Sequence, residues 1–307
     1  MNKAKKKVAI FVPAIDKNAK KKNGFLNATE VSLLEKLLKS NPAIDFQGNI
    51  DFNKIKIKNN VFLVDKINLA SLDLFFWYAP GMKKNLSALL ALSNYVKIIK
   101  SPLSLFTTAD KFLSHSILKS HGLPIAEFSL IPTDDLESMK KIISEWKTII
   151  IKPRLGSFGR GIVRVDKFET FRDIAGLLKA ENKQKEIFIE RFYENNPTEW
   201  MSTTLINGKV IYGYRKKIEK FADWKVYDPK AKGGDAFWIN PAPVKDIAEK
   251  AATILDKSIV GFDFIKTNEG YKIVDENNFP GFYPECFKKS GTSSSQLIAD
   301  MISENLY

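Results

Sequence analysis

Apolar residues recur along the chain with two periods, and the switches between them mark out the elements. Lys7 to Pro13 (KVAIFVP) is a continuous apolar run of the kind that forms a strand buried on both faces. From Ala28 to Leu38, Val31, Leu33, Leu34, Leu37 and Leu38 recur at helical spacing behind Asn27, a residue suited to cap a helix start. Val61 to Val64 and Leu72 to Trp77 read as further strands, Asn85 to Tyr95 as a helix and Val96 to Ile99 as another strand. Strands alternating with helices predict a small parallel sheet, whose ligands sit beyond the carboxyl ends of its strands. Tyr78, Ala79 and the loop Ala14 to Phe25, with Lys17, Lys20, Lys21 and Lys22, fall at that end.

Ser101 to Asp110 turns polar and reads as a connection, which puts a domain boundary near residue 100. Asp110 and Lys111 open a helix that runs to about Ser120, where Gly122 and Pro124 stop it. Thr148 to Lys152 is a β-branched run leading through Pro153 into Arg154-Leu155-Gly156-Ser157-Phe158-Gly159-Arg160-Gly161 and then the strand Ile162 to Val165. A phosphate loop of the Walker type or a dinucleotide fingerprint would open a helix at this point, so neither fits. Gly156, Gly159 and Gly161 would let backbone N–H groups converge on phosphate oxygens, and Lys152 would add a point charge, although a glycine-rich turn is common without either role. Phe171 to Ala180 reads as a helix and Glu186 to Phe192 as a strand. Trp200 to Ile206 and Lys209 to Tyr214 form a hairpin turning at Asn207-Gly208. A basic span then runs from Arg215 through Lys216, Lys217, Lys220, Lys225, Lys230 and Lys232 to Gly233-Gly234, ahead of a helix over Val244 to Ser258.

The stretch with the most chemistry is VGFDFIKTNEGYKIVDENNFPG, Val260 to Gly281. Gly261 to Lys266 and Tyr271 to Val274 are strands joined by the turn residues Thr267-Asn268-Glu269-Gly270. Side chains alternate across a strand, so Asp275 and Asn277 share one face while Glu276 and Asn278 share the other. With Asp263 on the partner strand, the hairpin gathers two carboxylates and an amide oxygen, a donor set suited to magnesium. The alternative is an edge hairpin whose acids are merely solvated. Pro280-Gly281 ends the strand, and Phe282, Tyr283 and Glu285 follow at a place where an acceptor pocket is expected.

Composition narrows the classes. At 307 residues the chain is long enough for about two domains. Hydrophobic residues at 44% and charged residues at 27% place it among folded globular proteins rather than disordered ones. One cysteine, Cys286, excludes an internal disulfide framework and reads as a packed thiol, and with only His115 and His121 a zinc site is not expected. The lysines at 3, 5, 6 and 7 precede an apolar run too short for a secretory signal, and no segment approaches the roughly 20 apolar residues that cross a bilayer. A cytoplasmic protein without a membrane partner is the expectation. The net charge of +13 fits an anionic partner such as a nucleotide, an acidic peptide, a polyphosphate or nucleic acid, or else a solvated basic face.

Taken in order, TTADK (Thr107 to Lys111), IIIKPRLGSFGRGIVRV (Ile149 to Val165), FIERF (Phe188 to Phe192), KGG (Lys232 to Gly234), GFDFI (Gly261 to Ile265) and DENNFPG (Asp275 to Gly281) resemble the ATP-grasp superfamily, closest to the RimK-type and glutathione synthetase-like carboxylate-amine ligases. The resemblance implies an α/β (α+β) fold: an N-terminal parallel-sheet domain over 1–100, a central subdomain with a glycine-rich lid over 101–183, and a metal-bearing subdomain over 184–307. It implies ATP and magnesium, with manganese as an alternative ion. Lys111 and Lys152 look like the nucleotide lysines, and Gly156, Ser157, Gly159 and Gly161 like the lid over the phosphates. Glu190, Arg191 and Phe192 look like the adenine hinge and Glu199 like the acid for the ribose. Arg215 and Lys232 look like the catalytic cations, and Asp263, Asp275 and Asn277 like the metal ligands. The departure is aspartate at 275 where the family has glutamate, with Glu276 beside it as a competing ligand that alternation points away.

The implied partners are small-molecule or peptide carboxylate and amine substrates. A kinase on the same fold acting on a phosphorylated small molecule such as an inositol phosphate is the second reading, given DENNFPGF and the basic span. A nucleic-acid or polyanion binder without catalysis is a third, disfavoured by the retained lysines and acids. The oligomeric state is left open.

Overall fold

A computed structural model of the protein describes residues 4–13, 26–79, 85–156, 159–182, 185–216, 221–222, 225–226 and 236–306. The first strand, Lys6–Phe11, lies inside a four-stranded parallel sheet of order Ile44–Asn49, Lys6–Phe11, Leu74–Trp77, Lys97–Ile99. Val8 through Phe11 are all buried, as a continuous apolar run in a parallel sheet requires. The helix Ala28–Ser40 covers one face through Val31, Leu34 and Leu38, and Asn27 and Glu30 close a capping box at its start.

Two expectations for this region are corrected. Val61–Val64 is a strand, but it belongs to a separate three-stranded antiparallel sheet with Lys56–Lys58 and Ile67–Asn68. The parallel sheet instead gains Ile44–Asn49, an edge strand whose sequence IDFQGN is too polar to read as buried. Ser101 to Asp110 is not a loose connection, because Pro102–Thr108 is a helix. Ser101 caps it by accepting from Ser104 N, and Pro102 occupies a first-turn position where its missing N–H costs nothing. The hydroxyls of Thr107 and Thr108 turn back onto helix carbonyls at 3.0 and 2.8 Å, which conceals helix in a polar-looking sequence.

Two antiparallel sheets follow. The first has the order Val163–Val165, Ile149–Lys152, Glu186–Arg191, Phe128–Pro132. Helices Leu136–Trp146 and Phe168–Asn182 pack on one face against Ile149, Ile151, Ile187 and Ile189. The second has the order Ala236–Ile239, Lys209–Lys216, Met201–Ile206, Ile259–Thr267, Gly270–Asn277. Lys245–Ile254 covers it from the side of Val260, Phe262 and Phe264. Phe128–Pro132, Leu136–Trp146 and Ala236–Ile239 are elements that the residue pattern does not announce. The lysines at 17, 20, 21, 22, 217, 220, 230 and 232, together with Ser157, Gly233 and Gly234, lie outside the described residues. Among the described residues no helix is long and apolar enough to cross a membrane.

The chain's last helix, Ser294–Glu304, returns to the first sheet. Ser295 Oγ donates to Glu30 O, Ser294 Oγ donates to Glu30 Oε1, both at 2.8 Å, and Asn41 Nδ2 donates to Ser303 Oγ at 3.0 Å. One apolar core therefore runs from Ile10 and Leu34 through Tyr78 and Phe282 to Ile298 and Ile302.

The junction between the parallel sheet and the metal-type hairpin is held by two buried lysines. Lys100, at a left-handed φ of 65°, donates to Ile259 O at 3.0 Å and to Asn278 O, with its ammonium 4.4 Å from the Phe279 ring centroid. Lys257 donates to Ser104 O at 2.8 Å and to Thr108 Oγ1 and Asn278 Oδ1, both at 2.6 Å. Its donors are satisfied, but no carboxylate lies within ion-pair distance among the described residues. Burial therefore pulls its pKa down to about 7, only partly opposed by Glu276 and Asp256. Close packing also fixes the hairpin itself, since a Cβ on Gly261 would meet Thr203 O at 2.6 Å and Pro280 Cβ at 2.9 Å.

Gly261→Ala is accordingly expected to cost roughly 1–3 kcal/mol by overpacking, seen as a lower denaturation midpoint at unchanged slope. For Lys257 the unfolded chain binds more protons than the native one from about pH 7 up to the ordinary lysine range, so stability should rise with pH across that window. Relative to Lys257→Met, the wild-type protein is expected to gain up to about 1.4 kcal/mol per pH unit there, and to run parallel to the variant below about pH 6. Denaturant titrations of both proteins across pH check this.

Candidate active site

The site begins at the start of the helix Lys111–Ser120. Asp110 caps it by accepting from Phe112 N at 3.0 Å, and Arg154 pins Asp110 in turn while bonding Glu186 at 2.8 Å. Positions i, i+3 and i+4 share a helix face, so Lys111, Ser114 and His115 look the same way, into the space between the two antiparallel sheets. All three are buried. Lys111 Nζ lies 2.7 Å from Asp275 Oδ1 and 3.3 Å from Gly156 O. Burial works against its charge, yet Asp275, Glu276 and Glu190 prevail and raise the ammonium above its ordinary value.

Lys152 stands on the face of its sheet opposite Ile149 and Ile151, and Glu190 opposite Ile187 and Ile189, as strand alternation demands. Their charged groups meet at 2.6 Å, and Lys152 Nζ also donates to Val274 O at 2.9 Å, across to the other sheet. Burial alone would raise the Glu190 carboxyl. Lys152 and then His115 outweigh it and hold the pKa at about 2, so Glu190 is ionised at neutral pH.

The hairpin Ile259–Thr267 and Gly270–Asn277 places Asp263 directly opposite Asp275, and Asn277 opposite Gly261, on one face. Directly opposed side chains in such a ladder leave the sheet about 5 Å apart, close enough for two carboxylates to share one cation. Ser202 Oγ donates to Asp263 Oδ1 at 2.6 Å and Lys216 Nζ lies 3.4 Å from Asp263 Oδ2, which raises the Lys216 ammonium. Glu276 points the other way, as alternation requires. It is buried, receives a hydrogen bond from Ser114 Oγ, and burial raises its pKa. Glu276 thus faces the helix Lys111–Ser120 and not Asp263.

No three His, Cys, Asp or Glu side chains among the described residues are grouped to hold a metal. The hairpin offers two acids and an amide, an all-oxygen half-set whose remaining positions would fall to phosphate oxygens and water. That is how magnesium is commonly bound, so Asp263, Asp275 and Asn277 fit that ion in the presence of a nucleotide.

The other expected residues lie as follows. Gly159 and Gly161 have left-handed φ of 65° and 72°, and a Cβ on Gly161 would strike Pro153 Cγ at 2.9 Å, so the turn closes tightly beside Lys152. Phe192 N donates to Thr148 O at 3.0 Å, and its ring lies 4.3 Å from the Arg164 guanidinium. Arg191 pairs with Glu127 at 3.0 Å, and Glu199 is engaged by Lys266 at 2.7 Å. Arg215 is exposed and donates to Trp200 O at 3.3 Å. Tyr214 shares the cross-strand row of Ser202 and Asp263, so Arg215 projects from the opposite face and Lys216 from the same one. Lys232 and Ser157 lie outside the described residues. Phe282 stacks on Tyr78 at 5.5 Å, Tyr283 packs on Tyr214 at 4.9 Å, and both are buried.

Residue-by-residue reading passed over Ser114, His115, Ser202 and Lys216. Helical spacing from Lys111 would have found the first two, while Ser202 and Lys216 reach Asp263 only through the pairing of three strands, which no local pattern carries.

The chain matches the RimK-like ATP-grasp domain over residues 108–302, well over half its length. It is 23% identical over 203 residues to coenzyme gamma-F420-2:alpha-L-glutamate ligase of Methanocaldococcus jannaschii, covering 65% of this chain and 67% of that one. It is 28% identical over 255 residues to D-alanine–D-alanine ligase of a Thermoanaerobacter species, covering 72% of this chain and 67% of that one. The fold superposes on the ATP-grasp ligase PsnB complexed with minimal precursor, Mg and ADP at a TM-score of 0.62 and 14% identity, over 97% of both chains. With two lysines and a two-acid hairpin facing one another between the sheets that the family model spans, the chain belongs to the RimK-like ATP-grasp family and is an ATP-dependent ligase.

Proposed function

We propose that the protein joins a carboxylate to an amine through an acyl phosphate, releasing ADP and phosphate. The observation that carries this reading is the direct opposition of Asp263 and Asp275 across the hairpin, with Lys111 on one acid and Lys216 on the other. Magnesium held there with Asn277 would draw off charge from the β- and γ-phosphate oxygens. Lys111 and Lys152 would hold the nucleotide from the helix and from the first sheet, beside the glycines at 156, 159 and 161, and Ser157 is assigned to the same phosphate-binding segment.

Glu190, Arg191 and Phe192 would form the edge that meets the adenine, and Glu199 would turn from Lys266 to the ribose hydroxyls. A carboxylate oxygen of the acid attacks the γ-phosphorus, the bond to the β-phosphate oxygen breaks, and ADP leaves with that electron pair. The amine then attacks the acyl carbon, phosphate departs with its bonding pair, and the nitrogen loses a proton. The charge that develops on the transferring oxygens calls for fixed cations, a part that falls to Lys216 on the face of Asp263 and to Lys232, whereas Arg215 stands on the opposite face.

The acid and amine are small molecules or the end of a peptide, in keeping with the glutamate and D-alanine ligases among the relatives. A cytoplasmic setting belongs to the same proposal, since the reaction draws on ATP. The division at residues 100 and 183 assigns the acceptor's outer wall to the parallel sheet and the nucleotide to the two antiparallel ones.

Asp275→Ala and Lys152→Ala are each expected to lower substrate-dependent ADP release by on the order of a hundredfold or more while circular dichroism stays native. Turnover within a few-fold of wild type in either would reject the assignment. Screening amino acids and acidic peptides with ATP, magnesium and hydroxylamine should yield a hydroxamate and free phosphate with the correct acid. ADP formed with a phosphorylated product and no hydroxamate would mark a kinase instead.

A further inference from the structure

His115 is fully buried one helical turn after Lys111, and the reaction described above gives it no part. Its Nε2 lies 3.2 Å from Glu190 Oε1 and its Nδ1 lies 3.9 Å from Glu276 Oε2, and neither pair is aligned as a hydrogen bond. Both ring nitrogens and both of those carboxylate oxygens are thus buried polar atoms lacking a hydrogen-bond partner. Such atoms are costly, and an apolar side chain at 115 would leave Glu190 Oε1 and Glu276 Oε2 without the polar neighbour they face, so the imidazole is the group on which those two oxygens depend.

Two neighbouring aromatic rings orient the imidazole. Phe128 and Phe188, 6.0 Å from each other, each lie 5.7 Å from it and are inclined to it at 84° and 88°. On one side Glu190 uses its other oxygen, Oε2, to hold Lys152 Nζ at 2.6 Å. On the other side Glu276 is held through Oε1 by Ser114, one residue before His115. The carboxylate that positions Lys152 is therefore itself positioned, on its free oxygen, by a ring that the helix of Lys111 carries.

We propose that His115 is a positioning residue for the nucleotide. Through Glu190 it fixes where Lys152 stands, and so ties that lysine's placement to the helix that delivers Lys111. Contact with the ATP is left to the lysines. The inference rests on the reading that Lys152 binds the nucleotide, and it assigns the imidazole's Nε2 side, facing Glu190, as the side that matters.

The test measures binding of ATP with magnesium by calorimetry, which needs no knowledge of the acid. His115→Leu fills the cavity without a donor. His115→Gln keeps an N–H near the place of Nε2, and His115→Asn keeps one near the place of Nδ1. The expected result is a loss of about tenfold or more in affinity for His115→Leu and His115→Asn, with most of it recovered in His115→Gln. Equal affinities for the Gln and Asn variants overturn the proposal even if the Leu variant fails to fold, because packing alone would then account for His115. Wild-type affinity in a folded His115→Leu overturns it as well. Lys152→Ala is run beside them. If it loses ATP while His115→Leu does not, only the present inference fails. If it too binds ATP normally, the nucleotide reading fails and takes this one with it.

Discussion

Burying an ammonium group is unfavourable unless a carboxylate accompanies it, and this protein buries two between its antiparallel sheets. Lys111 has Asp275 at 2.7 Å and Lys152 has Glu190 at 2.6 Å. Each pair brings together different elements: Lys111 comes from a helix and Asp275 from the second sheet, while Lys152 and Glu190 lie on adjacent strands of the first sheet and Lys152 reaches across to Val274 O. Removing either acid would leave a lysine desolvated and unmatched, so the gap between the sheets is defined electrostatically before any nucleotide enters.

That arrangement also presets the chemistry. With Glu190 held at about pKa 2 and the Lys111 ammonium raised above its ordinary value, both groups are charged at neutral pH. In the proposed reading a nucleotide entering the gap would meet donors already oriented by partners within the protein, and would trade the Lys111–Asp275 contact for phosphate on one side and a cation on the other. Preorganisation of this kind is where most transition-state stabilisation in phosphoryl transfer originates. The opposing lysine on Asp263, Lys216, balances the second acid in the same way.

The hairpin, the glycine-rich turn and the two lysines proposed for the nucleotide could be read from the sequence because each sits in a local pattern with a local cause. Thr267 to Gly270 turns the chain, and a bulge between Asp263 and Phe264 then shifts the register by one, so that Asp263 meets Asp275 rather than Val274 and alternation turns Glu276 away. Elements whose stability comes from distant partners were not legible. Ile44–Asn49 is a strand only because Lys6–Phe11 templates it, and Pro102–Thr108 hides its helix behind hydroxyls that bond inward. The same division separates the site residues. Lys111, Lys152 and Asp263 stand inside local motifs and helical spacing places His115 on the face of Lys111, whereas its carboxylate neighbours Glu190 and Glu276 come from strands that only the fold brings there. Arg215 shows the limit of motif reading in the other direction: its neighbour Lys216 occupies the face that the geometry favours.

The long-range contacts explain why so much of the chain is devoted to holding one hairpin still. Asn278, the residue after Asn277, has its carbonyl taken by Lys100 and its amide oxygen by Lys257, and both lysines are anchored to the junction between the parallel sheet and the helix Pro102–Thr108. Gly281 O accepts from Tyr212 OH at 2.7 Å and from Thr204 Oγ1 at 3.0 Å, which holds the chain just past Pro280. Three residues later the helix Pro284–Lys289 begins, and the final helix closes onto Ala28–Ser40. The metal-type hairpin is thus continuous, through Asn278 and Gly281, with the core of the N-terminal sheet. A displacement of that sheet would have to move the acids at 275 and 263 as well, so a group bound at its carboxyl edge and a phosphate bound at the hairpin are held in one frame.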